Sequence, residues 1–210
     1  GLLHQINISK SKYVVVDNLF FDEVNDLQKN YKLDVEILNC GELKSKELIN
    51  ENEVIFGKLS DNVCTMFTSG TSGPSKGVMM PNAHCVLFAI GTIENYDLKH
   101  DHTFYISLPL FHANGLFMQL LACIVTGAKA IIRKRFSASN WLKDIRRYGV
   151  THTNMLGAIA AFVVAQPPSE HDKDHRLIVI GSAPLPSEPE KVFRERFGIC
   201  LLYTSPSPRD

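Results

Sequence analysis

No run of 18 apolar residues occurs anywhere in the 210-residue sequence, which excludes a membrane-spanning helix. Charge of one sign is not in excess either. Lys plus Arg (22) balance Asp plus Glu (22), so nothing suggests a nucleic-acid or anionic-membrane footprint. The five cysteines, Cys40, Cys64, Cys85, Cys123 and Cys200, are odd in number and never form C-x-x-C, which argues against a disulfide framework or a zinc site. Reduced thiols in a cytoplasmic protein are the expectation. The eight histidines are scattered and H-E-x-x-H is missing, so no metal-binding residues are assigned. The chain opens at Gly1 with neither methionine nor a basic-then-apolar leader, the look of an internal piece of something longer.

What is present is an ordinary globular composition, 45% hydrophobic, laid out as alternating strand and helix patterns. Strands are expected at 13–20, 34–38, 63–68, 103–108, 128–133, 150–155 and 176–180. Helices are expected at 22–31, 41–49, from near Pro81, and at 115–126, 138–148, 157–165 and 187–197, with a polar hinge at Gln166–His175. This alternation predicts an α/β fold of mostly parallel sheets flanked by helices.

The densest chemical signal is Met66-Phe67-Thr68-Ser69-Gly70-Thr71-Ser72-Gly73-Pro74-Ser75-Lys76-Gly77, which ends an apolar strand with hydroxyls, glycines and one lysine. Such a turn suits polyphosphate: glycines let backbone N–H groups approach phosphate oxygens, hydroxyls add donors, and the lysine brings a mobile charge. The pattern G-x-x-x-x-G-K-[ST] does not fit. Ser75 stands where its second glycine belongs, and Gly77 follows the lysine in place of a metal-binding hydroxyl.

From Phe67 to Gly77 the run resembles the phosphate-binding signature of the acyl-adenylate-forming enzymes, a superfamily of acyl-CoA synthetases, luciferases and peptide-synthetase adenylation domains. Three further segments follow in that family's order. Pro109-Leu110-Phe111-His112-Ala113-Asn114-Gly115 is similar to its P-x-F-H segment, bordering the acyl pocket and the thiol channel. Gly181-Ser182-Ala183-Pro184-Leu185 resembles its G-[AGS]-A-P loop against adenine. Thr151–Ile159 resembles the strand and helix start that line the acyl pocket, where Gly157 and Ala158 leave room for a chain and Asn154 or Thr153 bonds a polar substituent. Core packing alone explains these residues nearly as well. Beyond Phe111, the stretches Gln166–Ser169, Asp174–Leu177 and Arg194–Gly198 resemble crotonobetaine/carnitine-CoA ligases.

The resemblance implies that a small-molecule carboxylate attacks the α-phosphate of ATP, releasing pyrophosphate, and that coenzyme A then displaces AMP. It assigns ATP to Thr68, Ser69, Gly70, Thr71, Ser72, Gly73 and Lys76, with Gly181, Ser182, Ala183 and Pro184 at the base. Lys76 and His112 are the residues nearest the chemistry, and His112, Asn154 and Gly157 the substrate contacts. Mg²⁺ is implied with the nucleotide, yet the family's metal-binding glutamate, ribose-binding aspartate and mobile-domain lysine match nothing here. Residues 1–199 are therefore expected to be part of a large adenylating domain, and this piece alone to be inactive. Residues 200–210 (CLLYTSPSPRD) read either as a flexible tail with Ser-Pro sites or, preferably, as sequence foreign to the family. A non-catalytic ATP- or AMP-binding module and an inert truncated product are the competing readings.

Overall fold

The computed structural model describes residues 1–43, 57–68, 73–182, 187–199 and 201–202. They fall into two compact units, Gly1–Asn82 and Ala83–Asp210.

The first unit opens with helix α1 (Leu2–Ser9), strand β1 (Tyr13–Val16), helix α2 (Phe21–Tyr31) and strand β2 (Glu36–Asn39). β1 and β2 pair in parallel, Tyr13 with Glu36 through Val16 with Asn39. The expected strand 13–20 stops at Val16 because the Asp17 carboxylate accepts from the Leu19 amide and turns the chain into one tight 3-10 turn. α2 follows its sequence pattern, with Asp22 and Glu23 in the first turn and Lys29 in the last, each complementing the helix dipole. The helix expected over 41–49 is represented by a single 3-10 turn at Cys40–Glu42, and residues 44–49 lie outside the described residues.

Strand β3 (Asn62–Phe67) then pairs antiparallel with β4 (Gly77–Pro81), Phe67 opposite Gly77 and Met66 opposite Val78. β4 was not expected from sequence. Its glycine start and closing proline read as a loop running into a helix, but pairing with β3 supplies the ladder partners that local propensity did not advertise.

Helix α3 (Asn82–Tyr96) starts one residue after Pro81 and leads into the second unit. There β5 (Thr103–Ile106), β6 (Lys129–Ile132), β7 (His152–Met155), β8 (Val179–Ser182) and β9 (Leu201–Leu202) form one parallel sheet in the order β6-β5-β7-β8-β9. Between them lie a π-helical stretch, Asn114–Leu121, that continues as α4 (Ala122–Thr126), then α5 (Ala138–Arg147), α6 (Gly157–Val164) and α7 (Ser187–Val192) with its π-helical end Phe193–Phe197. The fold is α/β with a five-stranded parallel sheet flanked by helices, as the alternation predicts. No helix among the described residues is long and apolar enough to cross a membrane.

All four residues of β5 are buried, as a central parallel strand requires. Because side chains alternate across a strand, Phe104 and Ile106 enter a cluster with Ala89 of α3 and Ala122 and Cys123 of α4, while Tyr105 enters one with Trp141, Ile145, Val163, Phe193 and Phe197. The sheet is thus covered on both faces. Trp141 meets the edges of Phe193 and Phe197 at centroid distances of 6.2 and 6.1 Å, a geometry that aromatic quadrupoles favour.

One boundary moves the site. The sequence reading ends a strand at Ile180 and places Gly181 and Ser182 in a loop, whereas β8 runs on through both. Gly181 pairs with Asn154 on one side and Leu202 on the other, and Ser182 pairs with Met155, so the ladder holds them in the sheet. Leu201 and Leu202 are accordingly in the sheet, while residues 200 and 203–210 lie outside the described set.

Candidate functional site

In the first unit, the loop that carries the serine- and glycine-rich run closes the β3–β4 hairpin. Ser69, Gly70, Thr71 and Ser72 lie outside the described residues, but both ends of the loop are defined. The Thr68 amide donates to the Lys76 carbonyl at 3.0 Å, and the Lys76 amide donates to Thr68 Oγ1 at 3.1 Å. This reciprocal pair sets the threonine hydroxyl and the lysine at one place, with both residues exposed. Gly73 has φ +147°, a backbone state that a side chain would strain, which gives one of the glycines a conformational reason to be there. His4 of α1 bonds the Ser75 carbonyl at 2.9 Å and tethers the loop's second limb.

In the second unit, chain order and sheet order diverge at β5. β6 packs on one side of it and β7 on the other, so the connections leaving β5 and β7 part at their carboxyl ends, where open α/β sheets hold their ligands. A cleft of about 360 Å³ lies there, lined by Asn114, Asn154, Gly181, Ser182 and Tyr96, with Leu87, Phe88, Met118, Met155 and Leu202 among the apolar walls. Of the residues singled out from sequence, the structure brings Asn154, Gly181 and Ser182 to this cleft. His112 and Gly157 are not in its lining: His112 is exposed, packed against Phe111, and Gly157 is buried at the start of α6. Ala183 and Pro184 lie outside the described residues.

A polar chain runs along the cleft. The Tyr96 hydroxyl donates to Asn154 Oδ1 at 2.6 Å, Asn154 Nδ2 donates to Asn114 Oδ1 at 3.1 Å, and Gln119 Nε2 donates to the same oxygen at 2.7 Å. Asn114 and Gln119 are five residues apart, and the wider π-helical turn brings that spacing onto one face. Gly181 is required by this arrangement, since a Cβ there would overlap the Tyr96 hydroxyl and stand 2.5 Å from Asn154 Oδ1. Burial pushes the Tyr96 phenol up to about 12, against the opposing pull of its bond to Asn154, so it stays protonated and a donor at neutral pH.

Tyr96, Asn114 and Gln119 were not assigned a role from sequence. Asn114 stands inside the quoted 109–115 segment, and Gln119 is a lone amide in the apolar run 115–126, which is the signal that was available. Tyr96 gave none, because its partner is 58 residues away.

Behind the cleft, His152 is fully buried, with Nε2 3.0 Å from the Tyr96 carbonyl and Nδ1 2.8 Å from Thr151 Oγ1. Burial lowers its pKa, the bond to the Tyr96 carbonyl works the other way, and His102 adds repulsion. His152 is thereby a neutral framework residue. Among the described residues no three His, Cys, Asp or Glu side chains gather, and no step below runs through Mg²⁺. The cleft itself presents hydrogen-bonding groups and apolar walls, a site made to bind and orient.

Comparison with known proteins agrees with this architecture. Over 97% of its length the chain is 26% identical to long-chain fatty acid transport protein 6 of Mus musculus, covering 35% of that protein. It is 32% identical over 145 residues to the medium/long-chain-fatty-acid–CoA ligase FadD17 of Mycobacterium tuberculosis, 69% of this chain and 29% of the relative. The ATP-bound MatB of Rhodopseudomonas palustris shares the fold, with a TM-score of 0.79 at 21% identity over 96% of this chain and 41% of that one. The chain thus spans about a third of the length of these curated relatives. A family model described as AMP-binding enzyme matches residues 1–205, hairpin and cleft included, and the chain belongs to that family.

Proposed function

We propose that the protein carrying this chain is an AMP-forming acyl-CoA ligase, which activates a small carboxylate with ATP and passes the acyl group to coenzyme A. Residues 1–199 are read as part of its large adenylating domain. The observation that carries the proposal is the hairpin that fastens Thr68 to Lys76 across a loop of hydroxyls and glycines. The relative named as a fatty-acid–CoA ligase and the ATP-bound structural neighbour support it.

The chemistry asks little of the protein by way of proton transfer. A carboxylate is already ionised near neutral pH, so its oxygen attacks the α-phosphorus directly and pyrophosphate departs. Catalysis then consists of positioning and of stabilising charge that grows on the phosphates. Thr68 Oγ1, the backbone amides of 69–73 and the Lys76 ammonium are assigned to that task. Gly181, Ser182, Ala183 and Pro184 are assigned to the adenine side, Asn154 to the acyl group, and the exposed His112 to the path by which the thiol arrives. Gly157 is assigned to the wall beside the acyl group.

The test is carboxylate-dependent exchange of labelled pyrophosphate into ATP by the full-length protein, followed by thioester formation when coenzyme A is added. ATP binding with no exchange across a broad panel of acids would favour the non-catalytic nucleotide-binding reading, and exchange without any carboxylate would mean that another group attacks the α-phosphorus.

A further inference from the structure

The cleft of the second unit has a chemical character of its own. Among the described residues its lining holds no Asp, Glu, Lys, Arg or His. Its volume of about 360 Å³ lies near the lower end for small-molecule sites, and its walls mix Leu87, Phe88 and Met155 with amide and hydroxyl groups. A second charge on the bound acid would be desolvated there without a counter-ion, which is strongly unfavourable.

Two groups in the lining are left over from the protein's own bonding. Asn114 Oδ1 receives both Gln119 Nε2 and Asn154 Nδ2, so the Asn114 amide nitrogen is the end without a protein partner among the described residues. Ser182 is 5% exposed, and its Oγ likewise has no hydrogen-bond partner there. Buried polar atoms are nearly always satisfied, and one on the wall of a cleft is a place where a ligand atom completes the set.

We propose that this cleft selects an uncharged acyl group carrying a hydrogen-bond acceptor, such as a keto or amide carbonyl, which Asn114 and Ser182 read. Among the described lining residues, a plain hydrocarbon chain leaves both groups unsatisfied, a dicarboxylate meets no cation, and a quaternary ammonium acid meets no anion. The last case sets this inference against the narrower likeness to crotonobetaine/carnitine-CoA ligases. The inference rests on reading the cleft as the acyl pocket, and it takes the Ser182 hydroxyl from the adenine side to the acyl group.

The experiment measures equilibrium binding of four acids to the full-length protein by titration calorimetry without ATP: hexanoate, oxohexanoate, adipate and a trimethylammonio acid of similar length. Oxohexanoate is expected to bind about three- to tenfold tighter than hexanoate, the value of one or two neutral hydrogen bonds, with adipate and the trimethylammonio acid weakest. In Asn114→Ala and in Ser182→Ala the ratio of oxohexanoate to hexanoate affinity falls toward one. Should Asn114→Ala fail to fold, Ser182→Ala decides alone, since its hydroxyl holds nothing else in place. Pyrophosphate exchange is measured separately: preference in binding without exchange sinks the ligase reading and leaves the cleft's choice among acids standing. Equal affinities, no binding by any of the four, a preference for adipate or the trimethylammonio acid, or a ratio that survives in the folded variants would overturn it.

Discussion

Lys76 and Thr68 were singled out from sequence because both belong to one contiguous run, and the structure adds the bonds that clasp them together. In the full-length protein, Lys76→Ala is expected to slow adenylation on the order of a hundred- to a thousandfold, the ~2.7–4 kcal/mol typical of losing one donor to developing charge. Affinity for the acid should barely move, and unchanged pyrophosphate exchange would remove Lys76 from its assigned role. Tyr96 and Gln119 were illegible for the opposite reason, since a phenol or amide acquires meaning only from a partner that folding brings in. His152 is a third kind of residue, whose consequence is a pH dependence. Its folded pKa lies below the ordinary 6.5, as does that of His175, also through burial. Well above pH 6.5 both are neutral in the folded and unfolded chain and contribute no slope. As pH falls below that value the unfolded chain takes up protons that the native one refuses, so stability drops, by at most about 1.4 kcal/mol per pH unit for each histidine. The loss is complete below the folded pKa values. Urea unfolding of the full-length protein between pH 7 and pH 5 should show this decline, and His152→Gln should flatten part of it; an identical decline in the variant would clear His152 of responsibility.

At the scale of elements, the long periodic segments were legible and the ladder-dependent ones were not. α5 spans Ala138–Arg147 against an expected 138–148, because Trp141, Asp144 and Ile145 mark one buried face in any reading. β4 and the extension of β8 through Ser182 depend on neighbouring strands, which local sequence does not encode. The hinge 166–175 shows how a stretch without regular structure is held. Arg196, at the end of the Phe193–Phe197 turn, donates Nε to Asp172 Oδ2 at 2.5 Å and its remaining nitrogens to the carbonyls of Val164, Gln166 and Pro167. Asp172 is 4% exposed, and although burial pushes its carboxyl up, the Arg196 and Ser169 bonds outweigh that and hold it below the ordinary carboxylate value. Arg196→Ala would strand a buried carboxylate and three carbonyls, a loss expected at about 3–5 kcal/mol. Denaturant unfolding of the full-length variant measures it, and a change under 1 kcal/mol would show that the hinge is held by something else.

The whole molecule was legible as an α/β fold because strand and helix patterns alternate, but the order β6-β5-β7-β8-β9 was not, since crossovers leave no local mark. That order makes the cleft, so the site's place in the fold followed from topology and its chemistry from side chains. The same architecture bears on the 210-residue chain by itself. Large apolar side chains stand exposed on several elements: Leu87 at 65% on α3, Ile124 at 67% on α4, Phe162 at 60% on α6 and Met79 at 72% on β4. A self-sufficient domain rarely leaves so many uncovered, and parallel sheets require cover on faces and edges alike. Purified alone, the chain is therefore expected to bind hydrophobic dyes, to unfold with a shallow transition, and to give no ATP- and CoA-dependent thioester with any acid that the full-length protein accepts. Even a folded sample is expected to fail in the last assay, since no residue here matches the family's metal-binding glutamate or mobile-domain lysine. Thioester formed by the isolated chain, free of any intact ligase, would mean that the residues sufficient for both half-reactions already lie between Gly1 and Asp210.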